Sequence, residues 1–205
     1  YGHVHDRLKA FGFDYDWLIN SLHDDERISS QPKTTGNMIC ELATFFENKK
    51  PDAVVTIADR YETIATAIAS SYMNIPLAHT MGGEVSGTID ESVRHAVTKF
   101  SNIHFAATKI AKKNILRMGE NKNYVFNVGC PRIDEVKKIL KKEPAELQEI
   151  INSFGVGENL NLKKPFITIM NHPVRTEYGS GEKEISKILN IINKIDIQKI
   201  VFWPN

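Results

Sequence analysis

Three observations predict an α/β protein built on a parallel sheet. Short apolar runs rich in Val, Ile and Phe recur along the 205 residues. Stretches of helical length separate them, and Pro, Gly, Asn or Lys bounds each run. Runs without polar alternation read as strands buried on both faces, and strands alternating with helices make βα units.

Taken in order, the first helix is expected over about residues 34–49, where Met38, Leu42, Phe45 and Phe46 fall at helical spacing. A strand follows over 53–57, then a helix over 61–73 and a strand over 75–79. The next helix covers 89–100, with Asp90 placed to act as an acid at its N-terminal end. A strand over 103–107 leads to a helix over 109–118, which Gly119 closes as a C-terminal cap. Strand 125–128 and helix 134–141 come next. A polar stretch then ends at Pro144, residues 155–164 read as a loop, and a second α/β unit starts at Phe166. It holds strand 166–170, helix 182–195 and strand 200–203. Two strands in about forty residues cannot bury a core alone. The chain therefore reads as a fragment of something longer, although a short appendage to one sheet would read the same.

Charge narrows the function classes. Lys and Arg number 26 against 25 Asp and Glu, a formal net charge of +1. A surface that tracks phosphates would need a clear basic excess, so no nucleic-acid partner is expected. Hydrophobic residues make up 41% and charged residues 25%, the balance of a globular domain. No run approaches the roughly 18 apolar residues of a membrane helix, so no membrane partner is expected. Cys40 and Cys130 stand far apart without C-x-x-C spacing, which suggests neither a disulfide framework nor a zinc knuckle. A reducing cytoplasm is the default location.

Ligands of open parallel sheets sit at the carboxyl ends of the strands. Asp59 and Arg60 follow the first strand, and His79 closes the second. After it comes Met81-Gly82-Gly83-Glu84-Val85-Ser86-Gly87, whose three glycines permit close backbone approach to a ligand. A glycine-rich turn running into a helix N-terminus suits an anion, though a tight surface connection would look alike, and neither a Walker nor a dinucleotide fingerprint is present. Asp90 and Arg94 share a helix face, as an i, i+4 ion pair or as an acid and a cation facing substrate. His95 and His104 read as packing or surface residues. His172 stands at the tip of the fifth strand, stopped by Pro173, and Asn205 follows the sixth. No His, Cys and Asp cluster has metal-ligand spacing, so neither a metal nor another cofactor is expected.

Together these segments resemble the hydrolysing UDP-N-acetylglucosamine 2-epimerases of sialic-acid-type biosynthesis. The residues that carry the resemblance are Asp59-Arg60-Tyr61-Glu62, the block from Gly82 through Glu84, Asp90 and Arg94 to Lys99, Gly129-Cys130-Pro131, His172-Pro173-Val174 and Phe202-Trp203-Pro204-Asn205. The resemblance implies a GT-B architecture of two Rossmann-like domains with a nucleotide sugar between them. Residues 1–141 would then be the N-terminal Rossmann-like domain without its first strand, and 142–205 a linker helix and the start of the second. It also implies loss of the proton on sugar C2 with departure of UDP, followed by hydration of the glycal to N-acetylmannosamine.

By resemblance Asp59 and Asp90 belong to the acid/base set, while Arg60, Arg94, His172 and Asn205 contact the diphosphate or the sugar. A UDP-sugar substrate and a homo-oligomer are implied as well. Many members carry a catalytic Glu where this chain has Met81, and His-Gly where it has Ile57-Ala58. A thioether transfers no proton. Either Glu84 takes that role, or the chain acts on a related UDP-diacetamido sugar or binds nucleotide sugars with impaired catalysis.

Overall fold

The computed structural model describes residues 4–15, 17–23, 27–57, 60–171 and 181–202, and the chain divides into two compact units, residues 3–133 and 134–205. In the first unit four parallel strands lie in the order β1 (Val54–Ile57), β2 (Leu77–Thr80), β3 (Ile103–Ala106) and β4 (Val125–Asn127). Thr56 pairs with His79, and His79 with His104. The helices are α1 (Val4–Ala10), α2 (Ser30–Lys49), α3 (Thr63–Tyr72), α4 (Ile89–Phe100) and α5 (Lys109–Arg117). The last three each link consecutive strands, which is the expected βα pattern.

Small side chains let the layers close. On α3, Ala65 and Ala69 meet Leu42 and Phe46 of α2, while Ala67 packs with Leu77 of β2 and Val97 of α4. Alanine on both sides lets α3 be buried between a helix and the sheet without large side chains holding them apart. A further cluster joins Ala106, Ala111, Ile115 and Val125.

Two expectations change. Strand β2 begins at Leu77 rather than Ile75, because the Ile75 N–H already donates to Ser70 O at 2.9 Å and Pro76 has no N–H to give. The strands are also not all buried on both faces. Val55 is 66% exposed and Ile57 57%, on the face of β1 opposite Val54 and Thr56. Phe126 of β4, stacked on Phe105 of β3, is half open as well. Helices α3 to α5 contact this sheet through the other side chains, so an apolar run here marks a strand without marking a cover on each side.

Helix α6 (Pro131–Ile139) leads into the second unit, which holds α7 (Pro144–Phe154), β5 (Phe166–Met170), α8 (Gly181–Ile192) and β6 (Gln198–Phe202). Strands β5 and β6 pair in parallel from Phe166 with Gln198 to Met170 with Phe202. The amide side chains of α7 hold the loop before β5. Gln148 accepts from Leu162 N at 2.7 Å and donates to Leu160 O, and Asn152 accepts from Leu160 N at 3.1 Å. Ile150, Phe154, Val156, Ile169, Val201 and Phe202 help to line an apolar groove of about 950 Å³ in this unit.

Candidate active site

The carboxyl edge of the four-stranded sheet carries the site. Strand β2 ends at Thr80, and the chain then turns sharply at Met81, which takes φ 61° while its N–H donates to Phe105 O at 2.9 Å. Left-handed backbone is uncommon for a non-glycine residue. The two glycines that follow are required by space. A Cβ on Gly82 would stand 2.8 Å from the His79 ring and 3.0 Å from Thr98 Oγ1. One on Gly83, at φ 79°, would be driven into the Ala111 carbonyl oxygen. These glycines bring the backbone down onto the protein's own core.

Beneath them His79 is fully buried. Thr98 Oγ1 donates to Arg94 O at 3.0 Å and takes the His79 Nδ1 contact at 3.2 Å. Burial pushes the His79 imidazole down to about 3, and the neighbouring His104 and Arg94 push the same way. His79 is therefore neutral at neutral pH and serves as a packing block under Gly82. His104 is also buried, and its Nε2 lies 3.3 Å from Glu120. Desolvation lowers its pKa too, against the pull of that carboxylate.

The loop's polar groups are met from two helices. Asn114 Nδ2 of α5 donates to Gly83 O at 2.9 Å. Arg94, only 6% exposed, sends Nη1 to Glu84 O at 2.9 Å and to Ser86 Oγ at 3.5 Å. Glu91 Oε2 accepts from Ser86 N at 2.7 Å and from Gly87 N at 2.6 Å. Those two bonds hold the Glu91 carboxyl below its ordinary range. An incoming anion would compete for the same two N–H groups with a carboxylate already in place. The i, i+4 pair of Asp90 with Arg94 is not among the ion pairs of the described residues.

Glu84 and Asp90 are both half-buried, one on the loop and one in the first turn of α4. Asp90 Oδ2 has the Thr88 hydroxyl at 3.5 Å, a distance that leaves the carboxylate open to another partner. Arg60 stands past the end of β1, 57% exposed at its side chain, with Nε 2.5 Å from Glu62 Oε1. The loop thus carries Glu84 and α4 carries Asp90 and Arg94, with Arg94 bonded to the Glu84 carbonyl oxygen. Asp59, His172 and Asn205 lie outside the described residues. Sequence reasoning passed over Glu91 and Asn114, which hold the loop. Thr88-Ile89-Asp90-Glu91 has the T-x-x-E spacing of a capping box, a signal that could have found the first. No group of metal-ligating side chains occurs among the described residues, and none of their helices is long and apolar enough to cross a membrane.

Comparison with known proteins gives this arrangement a context. A family model described as UDP-N-acetylglucosamine 2-epimerase matches residues 4–205. The UDP-N,N'-diacetylbacillosamine 2-epimerase (hydrolyzing) of Legionella pneumophila is 32% identical over 206 aligned residues, covering 100% of this chain and 52% of that protein. The GDP/UDP-N,N'-diacetylbacillosamine 2-epimerase of Campylobacter jejuni is 31% identical over 88% of this chain and 45% of its own length. Among solved structures, UDP-GlcNAc 2-epimerase from Neisseria meningitidis bound to UDP-GlcNAc superposes with a TM-score of 0.77. That match covers 95% of this chain and 53% of that one, at 24% identity. The chain spans about half the length of the curated relatives it matches. The fold is of the GT-B type with a Rossmann-like parallel sheet, and the chain belongs to the UDP-N-acetylglucosamine 2-epimerase family.

Proposed function

We propose that the protein is a hydrolysing nucleotide-sugar 2-epimerase whose reaction is run from the Gly82–Arg94 segment. The observation that carries this reading is the loop itself. Two half-buried carboxylates, Glu84 and Asp90, stand at the carboxyl edge of a parallel sheet on a backbone whose polar groups are tied to α4 and α5. Such a segment supplies what elimination of UDP needs, a base and an acid held in place. Asp90 takes the proton from sugar C2, the C2–H electrons form the C1–C2 double bond, and the C1–O bond to UDP breaks. Water then adds hydroxide to C1 of the glycal, and a proton returns to C2 from the opposite face. The products are UDP and the 2-epimeric free sugar. Asp59 and Glu84 complete the acid/base set, and Arg60, Arg94, His172 and Asn205 contact the diphosphate or the sugar.

The family description favours UDP-N-acetylglucosamine as substrate. N-acetylmannosamine is then the product, and we place the reaction in sialic-acid-type biosynthesis in the cytoplasm as part of the same proposal. A second reading is favoured by the match of the whole of this chain to about half of the Legionella relative, whose name specifies a UDP-diacetamido sugar. Incubating the full-length protein with each nucleotide sugar and following products by NMR tests both. Free N-acetylmannosamine supports the first and a free diacetamido sugar the second, while no UDP release from either sugar would contradict both. Light scattering on the same sample tests for a homo-oligomer.

A further inference from the structure

The strongest grip on the loop comes from a residue the reaction as written does not use. In a capping box the carboxylate at the third helical position reaches back to the N–H of the capping residue. Here Thr88 is the capping residue and makes no side-chain cap bond, and Glu91 reaches past it. A single oxygen of Glu91, Oε2, accepts from both Ser86 and Gly87 at 2.7 and 2.6 Å. Three residues along α4, Arg94 Nη1 holds Glu84 O at 2.9 Å. Residues 84–87 are thus held by two side chains from one helix, and Asp90 precedes Glu91 on that helix.

We propose that Glu91 is a positioning residue: by fixing Ser86 and Gly87 to α4 it sets where Glu84 stands relative to Asp90. The inference rests on the reading of this site as that of a 2-epimerase. It follows from how the two carboxylates are carried. Asp90 is fixed by the helix, whereas Glu84 is carried by a loop with Gly83 and Gly87 at positive φ, and side chains of Glu91 and Arg94 tie residues 84–87 to the helix. A second consequence concerns charge. With Glu91 in place, the N–H groups of Ser86 and Gly87 already face an anion, so a substrate diphosphate must find its donors elsewhere than on these two amides.

Two substitutions separate positioning from proton transfer. Glu91→Gln keeps a carbonyl oxygen able to accept both N–H groups, and Glu91→Ala keeps none. Amide hydrogen exchange at Ser86 and Gly87, together with kcat and KM, is measured on the full-length protein. In Glu91→Ala the two amides should exchange about tenfold faster or more, and kcat should fall roughly 10- to 100-fold with KM little changed. Glu91→Gln should keep the protection and hold kcat within about threefold of wild type, which a proton-transfer role would not allow. Glu91→Gln falling as far as Glu91→Ala while its amides stay protected overturns positioning in favour of proton transfer. Fast exchange in Glu91→Ala with unaltered kcat reduces the clamp to a structural contact and overturns the proposal. Unchanged exchange in Glu91→Ala removes the clamp itself. Exchange needs no substrate, so wild-type protein that turns over no nucleotide sugar yet shows the expected exchange overturns the functional reading and leaves the clamp standing.

Discussion

The two parallel sheets of this molecule obey the same sequence pattern and reach different degrees of burial. In the first unit Ala106, Ala111, Ile115 and Val125 are buried together, and side chains of α2, α3 and α4 pack with Val54 of β1 and Leu77 of β2. In the second, Phe166, Met170, Val201 and Phe202 are exposed, and Ile169 is the buried hydrophobic among the described residues. Both sheets carry runs rich in Val, Ile or Phe, Val54–Ile57 in one and Phe166–Met170 in the other, so hydrophobicity alone does not account for the difference. It lies in how many elements of this chain, about half the length of its relatives, pack on each sheet. Two strands and one crossing helix enclose little, whereas four strands with a helix after each of the first three do.

Truncation in each unit sharpens that contrast most. Ile115→Ala removes a fully buried side chain from a packed cluster and should cost about 3–4 kcal/mol. Ile191→Ala, at a residue 64% exposed on α8, should stay within about 0.5 kcal/mol. Urea unfolding measures both, and equal losses would mean that the second sheet is better covered than described.

The next effect compares two glycines of one loop. Gly83→Ala meets the Ala111 carbonyl and the Ile115 side chain as well as an unfavourable φ, for about 3 kcal/mol. Gly87→Ala has open space around it and bears only its φ of 73°, for about 1 kcal/mol. Melting temperatures read the difference, and similar shifts would show that the loop does not rest on α5 as described.

A smaller effect is set by pH and belongs to the first unit, which holds the buried His79 and His104. The His79 pKa is lowered to about 3 when folded, so between pH 6.5 and 3 the unfolded chain binds more protons than the folded one. Stability is fully present above 6.5 and declines as pH falls through that window, by about 2 kcal/mol from His79 at pH 5. His104, shifted in the same direction, adds to the slope. Unfolding at pH 7 and pH 5 should show a smaller loss in His79→Gln than in wild type. An equal loss in both would mean that His79 does not carry the effect.

Much of the fold is legible in the sequence, because a run such as Val54–Ile57 or Phe166–Met170 carries its strand signal locally. The open face of β1 is not legible, since Val55 and Ile57 look the same whether or not another layer lies over them. Nor is α1, whose seven residues hold just Val4 and Leu8 at helical spacing, too short a stripe to mark a helix. In the site, the glycines, Glu84 and Asp90 stand out by type and spacing. Glu91 shows only as the end of a T-x-x-E spacing and Asn114 by nothing, and the contacts of both are illegible because they are made to backbone atoms of Gly83, Ser86 and Gly87. The sequence names the side chain and leaves its partner unstated.

In the proposed reaction Asp90 removes the proton from sugar C2. The direct measurement is solvent-deuterium incorporation at that carbon, followed by NMR in D₂O with the full-length protein and its nucleotide sugar. Asn caps a helix about as well as Asp but transfers no proton, so Asp90→Asn isolates the chemistry from the fold. Wild-type protein should release a free sugar deuterated at C2, and Asp90→Asn should incorporate deuterium about 10²-fold more slowly or worse with its melting temperature unchanged. Deuteration by Asp90→Asn at the wild-type rate would contradict the account.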